Sequence, residues 1–356
     1  MTSGLTGFIR FVNQNSRWMI WSLKVITIGI LVWILTYIDW DLLFQTSAQA
    51  NFSLLVVVLH LAIPNLFFSW LKWDYVVRFL DHTVRRRDTF SSVLSGVALD
   101  TVTISHFGDY AGRMINLARY PKLSLVLLQF FEKVYLTVIS IFFGSLSLII
   151  ISLKMPETAS GGTILFWIGV VLHLFSWISL VVSFRPHWTA SLISGWTFLP
   201  VSFRAQLTET SRRIRIEDCV YLFIINHLKY FTFIIQFYLI VLAFQPISAL
   251  DGFLGASATM VVRTILSGLT IGDLGIRELS SIYFFGQFGI SLEVAFFSAL
   301  LLFIINRLVP SLFGMGIILA SEIKFEPVSR QFRFFRIPEK RHPARKTTQN
   351  GPRIPS

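Results

Sequence analysis

Runs of some twenty mostly apolar residues recur along nearly the whole chain. Segments 18–38, 51–71, 123–153, 163–184, 218–244 and 291–321 are each long enough, as helices rising about 1.5 Å per residue, to cross about 30 Å of hydrocarbon. A backbone in lipid must satisfy its own hydrogen bonds, which leaves helices and closed barrels. Barrel strands alternate in polarity over roughly ten residues, whereas 54–59 and 164–168 are apolar at every position. The pattern predicts an all-α polytopic membrane protein with six transmembrane helices.

Two stretches between these spans, 89–120 and 252–289, are only weakly apolar. Charge in the connections decides how they must run. Arg10 and Arg17 precede the first span, and 39–50 has two Asp and no basic residue. The next loop holds Lys72, Arg78, Arg85, Arg86 and Arg87, 154–162 has one basic residue, 185–215 has five and 245–251 has none. The positive-inside rule then places both termini in the cytoplasm. Each weakly apolar stretch must begin and end on one side of the membrane. The first enters from the cytoplasm and the second from the opposite face, as inverted broken or re-entrant helical hairpins. A pair of ordinary short spans at each place preserves the same parity. Irregular backbone at membrane depth is tolerated where it lines a cavity or is buried in protein, so both stretches are places to look for a site.

Composition sharpens this reading. Of 356 residues, 54% are hydrophobic and 14% charged, and the mean hydropathy is +0.67, which excludes a soluble globular enzyme. The net charge of +12 follows the loops and the tail and does not imply nucleic acid. A single cysteine, Cys219, excludes an internal disulfide and a cysteine-rich metal site. No small-residue cleavage site follows the first apolar run, so it reads as a retained span. The expected organisation is a cytoplasmic N-terminus over 1–17, a transmembrane domain over 18–323 and a basic cytoplasmic tail over 324–356. The tail carries nine basic residues and two acids, suited to an anionic leaflet or to a solvated end.

Both special stretches carry G-D-x-x-x-R: Gly108, Asp109 and Arg113 in one, Gly272, Asp273 and Arg277 in the other. On a helix such an Asp and Arg stand one turn apart and can pair, while the Gly permits an abrupt helix start. Around the second copy, I-G-D-L-G-I-R-E over 271–278, an apolar helix, a Gly-Gln-Phe-Gly-Ile break and a long final span resemble the carboxy-terminal signature of the flippase-like, lysylphosphatidylglycerol synthase transmembrane family. The segment around Gly108, Asp109 and Arg113 is similar to that family's upstream Gly-acid-Arg element. Family members usually have a second Gly where Asp273 stands and Pro before both motifs; neither Pro is present here. The resemblance implies an integral inner-membrane protein that moves or handles phosphate-bearing lipids, without the soluble lysyltransferase domain, for which the tail is too short.

An ionised side chain near lipid costs several kcal/mol unless paired or hydrated, which marks such residues as functional candidates. The planar fork of Arg donates two parallel hydrogen bonds to phosphate. Arg113, Arg263 and Arg277, with the central Arg307, are the candidates for binding a lipid phosphate. Gly108, Asp109, Gly272, Asp273, Gly275 and Glu278 are the candidates for charge pairing and site shaping, and Asp–Arg pairs that merely lock the hairpins are the structural alternative. Glu132 and Lys133 lie within one span, pointing about 100° apart, and need not pair with each other. Asn226, His227 and Lys229 lie within another, and Asn226 and Asn306 suit helix-to-helix hydrogen bonding. His106 and His227 have no ligand-spaced partner, so no metal is expected, and no P-loop or nucleophile frame is present, so no cofactor and no enzyme activity are expected. The expected function is translocation of an anionic-headgroup or isoprenoid-phosphate-linked lipid between leaflets. Its partners would be membrane lipids and a separately encoded lipid or glycan synthase. The rivals are an intramembrane lipid-modifying enzyme and a non-catalytic partner of such a synthase.

Overall fold

The structure, a computed structural model, describes residues 50–103, 107–155, 160–185, 201–266 and 273–320, with residues 41, 187, 188, 191 and 195. The expected span 18–38, the tail from 324, His106 and Gly272 lie outside the described residues. Every element among those described is helical, in chain order α1 (Phe52–Val77), α2 (Arg86–Val102), α3 (Phe107–Ile115), α4 (Lys122–Lys154), α5 (Ser160–Ser183), α6 (Val201–Arg213), α7 (Ile216–Phe244), α8 (Ala249–Leu266), α9 (Ile276–Gly286) and α10 (Leu292–Phe303), the last continued through a π-turn (Ile304–Leu308) into α11 (Val309–Ala320).

Six of these segments are long and apolar enough to cross a membrane: Phe52–Val77, Lys122–Lys154, Gly161–Ser183, Ile216–Phe244, Ala249–Leu266 and Leu292–Ala320. The protein is a multi-pass membrane protein. Five of the six correspond to spans expected from hydropathy. Ala249–Leu266 does not: its buried Gly252, Gly255, Ala256, Ser257 and Thr259 dilute its hydropathy because it packs inside the bundle. The face of α5 formed by Ile164, Trp167, Ile168, Val171, Leu174, Ile178 and Val181 is exposed, an apolar surface suited to lipid.

Local chemistry sets the helix starts. Asn51 caps α1 by accepting from the Leu54 amide at 3.3 Å, Ser291 caps α10 by accepting from Val294, and the Asp218 carboxylate returns to the Arg215 amide at 2.7 Å below α7. Consecutive contacts run antiparallel along each pairing. α1 meets α7 from Asn51 N–H on the Ala243 carbonyl to Lys72 beside Asn226. α4 meets α8 from Ser140 at Thr264 to Lys154 at Asp251.

Both weakly apolar stretches are helical hairpins. In the first, α3 folds back along α2 so closely that a Cβ on Gly112 would strike the Ser95 carbonyl, and one on Gly108 the Leu99 carbonyl. In the second, α9 returns along α8, with Gly255 against the Phe285 ring.

Candidate functional site

The hairpins meet the long helices at a cavity of about 280 Å³, whose walls come from α1, α2, α3, α4, α7, α8, α9 and the last helix, α10 through the π-turn to α11. On α4 and α7 the lining residues, Glu132 to Ser140 and Lys229 to Phe233, lie near the middle of each helix. Seven basic side chains line it: Lys72, Arg113, Lys133, Lys229, Arg263, Arg277 and Arg307. All four arginines expected to meet phosphate therefore stand on one cavity, together with three lysines.

At the first hairpin Asp109 and Arg113 stand one helical turn apart and pair through both carboxylate oxygens, at 2.8 and 3.2 Å, as the spacing predicted. The network then reaches beyond the motif. Arg113 Nη1 donates to Glu132 at 3.0 Å, Lys72 lies 3.1 Å from the other Glu132 oxygen, and Lys133 and Gln129 both reach Asp109, at 2.6 and 2.8 Å. Glu132 and Lys133 thus serve different neighbours, as their directions on the helix require. The Arg113 guanidinium also lies over the Trp73 ring, 4.8 Å from its centre, and the Lys133 ammonium over Tyr110 at 4.5 Å.

The second hairpin does not repeat this arrangement, and the expected Asp273–Arg277 pair is not made. Asp273 precedes the helix, in the left-handed region at φ 63°, and Gly275 at φ 86° turns the chain again before α9 begins at Ile276. Asp273 and Arg277 consequently share no helical face. Asp273 instead accepts from Nε and Nη2 of Arg263 at 2.9 and 2.7 Å. Arg277 pairs with its neighbour Glu278, whose second oxygen accepts from the Gly275 amide at 2.7 Å and so caps α9. Arg277 Nε is buried without a hydrogen-bond partner, and its guanidinium lies 5.1 Å from the Phe303 ring centre.

Arg307 joins the two hairpins. From the π-turn it donates to Asp100 on α2 and stands 3.9 Å from Asp273. Beside it Asn306 accepts from Asn65 at 2.7 Å and donates to Gln236 at 2.8 Å, tying three helices together, while Asn226 receives the Lys72 ammonium. His227 bonds the Phe223 carbonyl within its own helix. Among the described residues no cluster of His, Cys, Asp or Glu could hold a metal ion.

Lys72 is the clearest correction at the site. Loop charge counting assigned it to the cytoplasmic connection, but α1 continues to Val77 and buries it at 2% exposure against Glu132. Asp74 and Arg78, one helical turn apart and paired at 2.9 Å, are the signal that the helix runs on past Lys72.

The family model for the lysylphosphatidylglycerol synthase TM region matches residues 19–314, most of the chain. The chain belongs to this family. Neither the curated proteins nor the solved structures give a match. Every cavity-lining residue falls within the stretch shared with the lysylphosphatidylglycerol synthase TM region, so the buried charges belong to the family domain and not to an appendage. Membership accords with a role connected with membrane lipids.

Proposed function

We propose that the protein carries a lipid with an anionic head group between the two leaflets of a cell's inner membrane. The observation that supports this reading is the cavity itself: seven basic side chains around about 280 Å³, set against the middle of α4 and α7, two helices apolar enough to span lipid. A charged head cannot enter hydrocarbon unless its water is replaced by other donors. Arg and Lys side chains at the cavity would supply those donors while the acyl chains stay in the surrounding lipid. Carboxylates that pair with the cations keep the empty cavity folded, and a phosphate would compete for the donors they leave free, such as Arg277 Nε. In this reading both termini face the cytoplasm, the hairpins enter from opposite faces, and a separately encoded synthase supplies the lipid.

Purified full-length protein in phosphatidylcholine vesicles carrying a trace of tail-labelled phosphatidic acid or phosphatidylglycerol tests it. Dithionite bleaching should show the label crossing faster than in empty vesicles, and Arg277→Lys, which keeps charge but loses the fork, should slow it. Crossing no faster than in protein-free vesicles for both labels would remove the reading.

A further inference from the structure

Charge is shared unevenly around the cavity. Toward the second hairpin, Arg263, Arg277 and Arg307 meet Asp273, Glu278 and Asp100, three cations to three carboxylates. Toward the first, Lys72, Arg113 and Lys133 meet only Asp109 and Glu132. Lys229 lines the same cavity and, among the described residues, has neither a hydrogen bond nor an ion pair. Four basic side chains on this side therefore share two carboxylates, and once Lys229 is protonated beside an anion they leave an excess of two positive charges.

A buried cationic excess is costly until an anion of similar magnitude compensates it. We propose that the Lys229 side of the cavity is the seat of a lipid phosphate monoester, with the Lys229 ammonium as its direct contact. A terminal phosphate carries about 1.5 to 2 negative charges at neutral pH and three acceptor oxygens, enough to meet an excess of two. A phosphodiester head such as phosphatidylglycerol brings one charge, and its lysyl ester brings a net positive charge and would add to the excess. The seat thus selects against the aminoacylated lipid. This deepens the translocation reading, on which it rests for the lipid nature of the ligand. Two kinds of lipid share the required chemistry, glycerolipid phosphates and isoprenoid phosphates.

Binding to the detergent-solubilised full chain can be titrated by thermal unfolding with dihexanoyl phosphatidic acid, farnesyl phosphate, dihexanoyl phosphatidylglycerol, its lysyl ester and inorganic phosphate. The two lipid monoesters should bind on the order of tenfold tighter than phosphatidylglycerol, the worth of one charge-assisted contact, and the lysyl ester should bind weakest. Lys229→Gln should abolish the preference and Lys229→Arg should keep it. Tighter binding of farnesyl phosphate or of phosphatidic acid identifies the source, and either supports the seat. Equal affinity for monoester and diester, an unchanged preference in Lys229→Gln, or inorganic phosphate binding as tightly as the lipids would overturn it. Should Lys229→Gln fail to fold, the parent's selectivity and that of Lys229→Arg still decide. Because these titrations need no lipid movement, selective binding without transport would refute translocation and leave the seat standing.

Discussion

Glu132 is fully buried and faces two cations, Arg113 Nη1 at 3.0 Å and Lys72 Nζ at 3.1 Å. At an effective dielectric near 20, each contact at that separation is worth about 5 kcal/mol of Coulomb energy, and removing a carboxylate from water takes back several kcal/mol. Glu132→Gln keeps the shape and removes the charge, leaving Lys72 with Asn226 and Arg113 with Asp109. The expected loss of folding stability is about 3–5 kcal/mol, the usual cost of stranding one side of a buried pair. Adding Lys72→Met should recover about 0.5–3 kcal/mol of it, because the second change removes one of the stranded cations. Reversible unfolding of the parent, both single variants and the double variant in mixed micelles would measure this cycle. A Glu132→Gln variant within about 0.5 kcal/mol of the parent, or a cycle with no coupling, would show that water or a counter-ion reaches these charges and that the network does not brace the fold.

Gly112→Ala should separate the first hairpin, since the new methyl meets the Ser95 backbone, and should cost about 1–3 kcal/mol or more, whereas Gly286→Ala meets nothing and should be near neutral in the same unfolding assay. Asn306→Leu strands Asn65 and Gln236 together and should destabilise by about 1–3 kcal/mol, with the larger effect if neither amide finds water. Asp81, in the exposed connection before α2, is held down to about 2 by hydrogen bonds from the Thr83 and Tyr120 hydroxyls and the Thr83 amide. A carboxyl lowered on folding stabilises above its ordinary value of 3.8 and ceases to as pH falls through about 2. The stability gap between the parent and Asp81→Asn should therefore be constant from pH 7 to pH 5 and close between pH 4 and pH 2.

Hydropathy alone revealed the helical class and the long spans because lipid imposes a length and an apolar surface on every crossing, and α1, α4, α5, α7 and the last helix obey both. It passed over α8, where small and hydroxyl residues face protein and lower the average. Asp109 and Arg113 were legible as a pair because an intact helix joins them. Asp273 and Arg277 have the same spacing but not the same backbone, and a positive φ at Asp273 is invisible to a spacing rule. The partners Asp100, Glu132 and Lys72 come from other helices, so no local pattern connects them with the arginines they hold. Lys229 was visible only as a polar residue within a span; its want of a partner is a property of the assembled bundle.

The π-turn bears on how the last helix can change length. Such a turn holds one residue beyond the α-turn it replaces, so it accommodates an insertion while the helix on either side keeps its phase. Those two sides address different neighbours: Leu302 faces the central core, whereas Gly314 lies against the Leu94 carbonyl of α2. Deleting a residue elsewhere, at Leu300 for instance, would turn everything beyond it by about 100° and swing Gly314 away from α2. Deleting Ile305 would instead let the turn relax to ordinary α-helix with both flanks in register, at the expense of the reach of Arg307 to Asp100. The last helix thus has one point at which its sequence can shorten by a residue without refolding the bundle, and it coincides with the side chain that ties the two hairpins together.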